Sequence, residues 1–517
     1  MKLALICASC LTLFFPIIHS FPLAGESTSS TGFFMQVTDF HLDSHYMSGS
    51  DASAFCHRKE SLGEAGKFGA LNSKCDSPPI LVEEAFKFMK QLPTMDFVLY
   101  TGDSARHNRD KKEIPRTYDE ALETQTTIIN HFMNTFDTSK TKVVPVVGNN
   151  DVPKNNDCSG DDPSYQQIEK VWEPLQLNLG PTFRQGGYYA QDLIPGKLRV
   201  LNTNTMLFST KNKLTKEDCD ESGSPGQLHI AWLKAHLDDA RSQQTKVYIS
   251  AHVPPNSKRD RVFYKPVCYN QYYGLLGDYS DVLLGHFAGH FNNDVLTAVV
   301  DGPGLDQFDG SVKGEDDDKG KIKKRNKDDK NVDDGDQGTD EGQPDHDDED
   351  NEDFPTSGTG KAIVTRNTHI QKRGHKKDHS SFTTTQLQPP YGHIALLGKP
   401  ISPLPSPLKV LGILFNSPSI VPLNNPGLRV YEYETKGDTA PIGTILNYKQ
   451  YYADLQEANA SGQLTFKLEY DAAELYRVER FDKEGMARIL ETMASQADHY
   501  SVFTRVMNSL PPLPEND

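Results

Sequence analysis

Cysteine is scarce in this chain, at seven in 517 residues, and beyond the first twenty positions no two cysteines form a C-x-x-C pair. That absence excludes a closed thiolate zinc site, whose ligands come in such close pairs. Long apolar runs are missing after residue 18, so the body of the chain is not expected to be embedded in lipid. Basic residues do not exceed acidic ones, 54 against 71. No stripe of Lys/Arg interleaved with aromatics appears either, so a nucleic-acid partner is not expected. The net charge of -17 is concentrated, because residues 315–353 alone hold eighteen Asp/Glu against seven Lys/Arg. The remainder is only mildly acidic, and its charge does not argue against an anionic substrate.

What is present begins with a leader. Met1-Lys2 precedes an apolar run from Leu3 to Ile18, interrupted by Pro16 and followed by Ser20. The run is shorter than the roughly 20 residues a spanning helix needs. Residues 1–20 are therefore expected to be a signal peptide, with an uncleaved signal anchor as the alternative and as the one route to membrane contact. An oxidising compartment fits the five remaining cysteines. Disulfides are expected, with Cys56–Cys75 and Cys219–Cys268 as the pairs and one thiol left over. The sequon Asn459-Ala460-Ser461 agrees with the secretory route and makes Asn459 the expected glycan carrier.

Strand-like and helical patterns alternate along the first three hundred residues. The runs Phe33 to Val37, Phe97 to Tyr100 and Val143 to Val147 each lead directly into polar residues, at Thr38-Asp39, Gly102-Asp103 and Gly148-Asn149. Between them, Ile80 to Gln91 and Tyr118 to Phe136 repeat apolar residues at three and four positions, as amphipathic helices do. The alternation continues with strands at Leu198 to Leu201, Lys246 to Ser250 and Val282 to Leu284, and a helix from Gln227 to Arg241. The layout is α/β. A catalytic domain is expected over 31–300, a disordered acidic insertion over 301–388, and a C-terminal part over 389–517 that completes the same fold. Late strands are expected at Ala395 to Leu397, Val410 to Phe415 and Leu428 to Tyr433, with a final helix through Met486 to Met507.

Five separated elements carry the chemistry: Asp39-x-His41, Gly102-Asp103, Gly148-Asn149, His252 and Gly289-His290-x-Asn292. Each alone is common; the ordered series at strand ends is what carries weight. Hydrolysis of a phosphoester or phosphoanhydride needs charge neutralisation on the phosphate oxygens and a hydroxide near neutral pH. Two divalent ions about 3.5 to 4 Å apart supply both, by deprotonating a water they share. Carboxylate, imidazole and amide oxygen suit Zn, Fe, Mn, Co or Mg.

The order and spacing of these elements resemble the metallophosphoesterase pattern D-x-H, G-D, G-N-H-D/E, H, G-H-x-H. The resemblance implies a sandwich of two mixed sheets flanked by helices. It also implies that Asp39 and His41 hold a first metal, that Asp103 bridges, and that Asn149, His252 and His290 hold a second. Asp103, Asn149 and His252 would be the catalytic set. Two positions depart from the pattern: Asn150 stands where a histidine usually protonates the leaving group, and Asn292 where a histidine usually binds metal. Both departures, GNND and GHxN, are similar to the endopolyphosphatase branch of the family. Further stretches resemble that branch, among them Asp39 to Tyr46, Cys56-His57-Arg58, Thr101 to His107, Ser250 to Pro255 and Leu428 to Tyr433. The resemblance implies inorganic polyphosphate as substrate, internal cutting, and a vacuolar location, with an extracellular one as the alternative.

Arg106 and His107 follow Asp103 closely enough for a turn to aim both at phosphate oxygens. Lys258-Arg259-x-Arg261 could bind further phosphates, although a solvated loop is the commoner outcome for such a run. The basic island Lys323-Lys324-Arg325 reads as solvated linker, with a processing site as the alternative. Two other functions fit the residues: a phosphodiesterase resembling acid sphingomyelinase, and a non-catalytic polyanion-binding protein that keeps the fold. The first shares the G-H-x-x-x-D ending, but no saposin-like six-cysteine module precedes the catalytic region here.

Overall fold

The computed structural model describes residues 30–59, 63–256, 262–301, 364–365, 391–396, 404 and 406–495. The expected leader, the basic clusters at 258–261 and 323–325, nearly all of the expected insertion and the end of the last helix lie outside these residues. Two sheets carry the fold. The first takes strands β1 (Thr31–Val37), β2 (Phe97–Tyr100) and β3 (Lys142–Pro145) from the N-terminal third. The second takes β4 (Tyr189–Ile194), β5 (Leu198–Asn202), β6 (Lys246–Ser250), β7 (Leu283–Ala288) and β8 (Val295–Asp301), then β9 (Val364–Thr365), β10 (Tyr391–Leu396) and β11 (Val410–Asn416). The chain then returns to the first sheet with β12 (Gly427–Glu434), β13 (Ile445–Ala453) and β14 (Phe466–Asp471).

The resulting orders are β14-β13-β12-β1-β2-β3 and β4-β5-β6-β7-β11-β8-β10-β9. Strands β1, β2 and β3 run parallel, as do β5, β6 and β7, while β12 lies antiparallel to β1 and β8 antiparallel to β11. Both sheets are therefore mixed, and neither is complete without strands from beyond residue 390. The two sheets meet through their aromatic faces. Phe34 of β1 stacks on Phe97 at 4.7 Å and on Tyr431 at 4.6 Å within its own sheet, and reaches Tyr248 at 5.6 Å and Phe287 at 5.5 Å in the other.

Helices cover the outer faces. The helix α1 (Pro79–Met89) begins with proline at its first position, where the missing N–H costs nothing. In α2 (Tyr118–Thr135), Thr117 caps Glu120 N–H, and two acidic residues lie in the positive first turn. Phe86 of α1 and Phe132 of α2 meet edge to face at 5.0 Å over Phe40. After α3 (Pro163–Trp172) and α4 (Gly180–Gly186), α5 (Pro225–Ser242) and α6 (Pro266–Asp278) cover the second sheet. Short helices α7 (Leu455–Ser461) and α8 (Ala472–Tyr476) precede α9 (Lys483–Ser495).

The structure lengthens the seventh strand beyond the sequence reading. Leu283–Ala288 continues through Gly285 and His286, beyond the expected end at Leu284. Gly285 lies against the Phe287 ring, and the buried His286 ring pairs with the Tyr272 hydroxyl at 2.7 Å, so both fit a covered strand. Asp301, placed in the insertion by sequence, ends β8, and Val364–Thr365 pairs with β10. Disulfides join Cys56 to Cys75 and Cys219 to Cys268. Cys158 is a buried thiol whose pKa is pushed up to about 12 by burial, so it stays unreactive.

Candidate metal centre

Parallel strands end their carboxyl ends on one side of each sheet, and the loops that leave them carry the metal-competent side chains. The β1 exit bears Asp39 and His41, β2 bears Asp103, β3 leads to Asn149, β6 to His252, and β7 to His290 and Asn292. Five of these residues hold left-handed backbone: Asp39 (φ 52°), His41 (40°), Asp103 (62°), His290 (73°) and Asn292 (57°). Such conformations cost of order 1 to 3 kcal/mol each for side chains other than glycine, and their clustering is a mark of functional loops. Glycine is required beside them. A Cβ on Gly148 would lie 2.1 Å from Asp103 Oδ1, and one on Gly289 2.1 Å from Thr38 Oγ1.

The loops bring two groups of ligand atoms together: Asp39, His41 and Asp103 in one, and Asp103, His252 and His290 in the other, with atoms in each group within 4.8 Å of one another. Asp103 belongs to both. Its Oδ2 lies 3.4 Å from His41 Nε2 and 3.2 Å from His252 Nε2. Asn149 Oδ1 joins the second group, 2.8 Å from His252 Nε2 and 2.9 Å from His290 Nδ1. The far nitrogens are anchored on backbone carbonyls, His41 Nδ1 on Ala105 O at 2.9 Å and His252 Nδ1 on Thr101 O at 2.7 Å. That fixes each ring with Nε2 facing the cluster, as a metal-binding imidazole requires.

Two oxygens, Asp39 Oδ1 in the cluster and Asn292 Oδ1 on the loop that carries His290, are buried without a hydrogen-bond partner. An acceptor in that state is destabilising unless something else satisfies it. A divalent cation does so, and the mixed carboxylate, imidazole and amide donors match one. Burial opposes charging of His41 and His252, but the surrounding Asp39 and Asp103 carboxylates win and raise both imidazoles to about 9. In return, and against burial, the histidine charges hold Asp39 and Asp103 below the usual carboxylate range.

Asn150 and Asp151 build the frame behind Asp103. Asn150 donates from its backbone N–H to Asp103 Oδ1 at 2.8 Å and from Nδ2 to Oδ2 at 2.9 Å. Asp151 accepts from the backbone N–H of Asp103 at 2.9 Å, Ser104 at 2.8 Å, Ala105 at 3.4 Å and Gly148 at 3.0 Å. One buried carboxylate thus ties the β2 and β3 loops together. By sequence Asn150 marks only a departure from the family pattern, and the hold of both residues on Asp103 shows only in the folded chain; their fixed offset from Asn149 is the signal that could have marked them.

One expectation needs correction. Arg106 does not face a substrate: it is 1% exposed, with Nε on Glu120 Oε1 at 2.5 Å and Nη2 on Oε2 at 3.0 Å. Its Nη1 and Nη2 also donate to the carbonyls of His107 and Ile114. A short sequence offset places it near Asp103, but a buried guanidinium needs a carboxylate, and α2 supplies one. His107 does stand beside the cluster. Its ring stacks on His41 at 4.0 Å, and Asp76 accepts from both its backbone N–H and its Nδ1 at 2.7 Å. Asn459, the expected glycan carrier, is half-buried: its Oδ1 accepts from Phe68 N–H at 2.9 Å, and its Nδ2 donates to Gly69 O at 3.0 Å.

The sequence profile of the calcineurin-like phosphoesterases matches residues 34–292, a stretch that ends at Asn292 and contains every residue of the cluster. The chain belongs to that family. A second profile, the acid sphingomyelin phosphodiesterase C-terminal region, matches 414–508. Among curated proteins the chain is similar to endopolyphosphatases of fungi. It is 33% identical to that of Debaryomyces hansenii over 287 residues, which is 52% of this chain and 39% of that protein. With the Saccharomyces cerevisiae protein it shares 31% over 296 residues, 54% of this chain and 43% of the relative. With that of Schizosaccharomyces pombe it shares 32% over 280 residues, 50% and 47% respectively. The chain thus spans less than half the length of these relatives.

Proposed function

We propose that this protein is an endopolyphosphatase that hydrolyses internal phosphoanhydride bonds of inorganic polyphosphate, using two divalent cations held on either side of Asp103. The single observation that carries the reading is the position of Asp103 Oδ2, 3.4 Å from His41 Nε2 and 3.2 Å from His252 Nε2, shared between two ligand groups. Asp39, His41 and Asn292 would hold the ion on one side, and Asn149, His252 and His290 the ion on the other. Divalent ions there would neutralise phosphate oxygens and lower the pKa of water.

The chain's own residues do the rest. Asn150 and Asp151 keep Asp103 in place. Asp76, itself contacted by Arg109 Nη1 at 3.3 Å, fixes the His107 ring beside His41, where it can contact a phosphate of the substrate. Asn150 has no ionisable proton to give the leaving group. A polyphosphate chain leaves as a stable phosphate anion and has little need of one.

Similarity to fungal endopolyphosphatases supports the substrate, and the expected leader supports a secretory route ending in the vacuole, with secretion as the alternative. No helix among the described residues is long and apolar enough to cross a membrane. Incubation with long-chain polyphosphate and gel analysis over time tests the reading. Intermediate lengths at the first time points are expected; free phosphate alone, with long chains persisting, would contradict internal cutting. The profile match at 414–508 favours a second reading, a sphingomyelinase-like phosphodiesterase. Cleavage of sphingomyelin with polyphosphate left intact would select it.

A further inference from the structure

The cluster is built from loops before residue 293, yet those loops are held by a segment that comes more than a hundred residues later. The connection between β11 and β12 grips both the Asp39 loop and the His290–Asn292 loop. Ile420 N–H donates to Thr38 O at 3.2 Å and Val421 N–H to Asp39 O at 2.9 Å. On the other loop, Ser417 N–H donates to Ala288 O at 3.2 Å, Asn416 Nδ2 to Asn293 O at 2.9 Å, and Asn424 Nδ2 to Asn292 O at 2.9 Å. Behind it, Arg429 pairs with Asp294 at 2.6 Å, both 0% exposed, and Arg429 Nε donates to Gln450 Oε1 at 3.0 Å.

These contacts fall where the backbone needs support. His290 and Asn292 both hold left-handed φ values, 73° and 57°, and Asn292 presents a buried Oδ1 with no hydrogen-bond partner. Backbone in this region persists only when its surroundings over-determine it. The loop itself contributes one internal bond, Phe291 N–H to Gly289 O at 2.9 Å, and the Asp39 side chain one more, to His290 N–H at 3.0 Å. Gly289 N–H also donates to His252 O at 3.1 Å, Asn149 Oδ1 lies 2.9 Å from His290 Nδ1, and the supports from beyond residue 300 come from 416–429.

We propose that residues 416–429 form a positioning clamp that sets the separation of the Asp39 and His290–Asn292 loops, with Asn424 as the residue that fixes the reach of Asn292. The clamp rests on the two-cation reading of the site. Asn424 touches the Asn292 carbonyl rather than a reacting atom, so it is a positioning residue. The half-buried Asn424 makes one side-chain bond to this loop, and its truncation leaves the buried Arg429–Asp294 pair untouched.

The test uses the full chain, stripped of metal, and titrates Mn²⁺ alone by calorimetry for wild type, Asn424→Ala, Asn292→Ala and Asp103→Asn, with the melting temperature of each metal-free protein alongside. Asn424→Ala is expected to melt close to wild type but to bind one Mn²⁺ equivalent about tenfold more weakly, as loss of an outer-shell partner does. Asn292→Ala should weaken that same equivalent. Wild-type Mn²⁺ affinity in Asn424→Ala, with Asn292→Ala and Asp103→Asn impaired, overturns the clamp and leaves the site. Unchanged binding in Asp103→Asn overturns the two-cation reading itself. As a second variant, Arg429→Lys keeps the charge but not the forked geometry. It should also weaken that equivalent, and wild-type binding by it counts against the clamp.

Discussion

Asn150 holds Asp103 by both oxygens, the backbone N–H on Oδ1 at 2.8 Å and the side-chain amide on Oδ2 at 2.9 Å. Where the family pattern has an imidazole, this chain has an amide that orients the shared carboxylate. Asn150→Ala removes the Oδ2 contact while leaving the backbone one. Its kcat on polyphosphate is expected to fall roughly tenfold to a hundredfold, the range seen when an outer-shell partner is lost. Steady-state kinetics at saturating Mn²⁺ check this, and an unchanged kcat would show that Asp103 needs no such support.

Asp151 accepts four backbone N–H groups from two loops. Burial, and then the nearby Asp103 charge, raise its pKa above the usual carboxylate value. Asp151→Ala strands those donors in a buried setting, where each unsatisfied group costs about 1 to 3 kcal/mol. A loss of several kcal/mol, partly relieved by relaxation, is expected in denaturant unfolding. Asp151→Asn can still accept on one oxygen and should lose less.

The six side chains of the cluster each follow a strand-like run in the sequence, and for that reason their common location is legible: parallel strands deliver their exits to one side. Long-range supports are not legible in the same way. Arg106 finds Glu120 fourteen residues away on α2, and nothing in a three-residue offset from Asp103 tells which side of the turn the guanidinium takes. Strand β8 went unassigned because its partners, β10 and β11, come only after residue 390. The sequon at Asn459 shows the same limit, since a local triplet cannot reveal that the amide docks on a loop near residue 68.

His229 is fully buried between Tyr188, stacked at 4.1 Å, and Phe208 at 4.8 Å, and burial lowers its pKa to about 3. The folded protein keeps this ring neutral while the unfolded chain protonates it near 6.5. Its contribution to stability is therefore full above pH 6.5 and falls as the pH drops toward 3, by about 1.4 kcal/mol per pH unit. His229→Phe keeps the stack and cannot titrate. Melting temperatures from pH 7.5 to pH 4.5 should decline less steeply in the variant; parallel curves would contradict the assignment.

Asn459 bonds Phe68 N–H and Gly69 O across from α7. Asn459→Ala is expected to lower stability by about 1 to 3 kcal/mol, because two hydrogen bonds are lost and a backbone donor is left half-buried. Denaturant unfolding of wild type and variant checks this, and equal midpoints would contradict it.

Anomalous diffraction from crystals grown with Mn²⁺ tests the shared-carboxylate centre most directly. Two peaks are expected, one beside Asp39, His41 and Asn292 and one beside Asn149, His252 and His290, with Asp103 contacting both. A single peak that Asp103 does not touch, or none at saturating Mn²⁺, would contradict it.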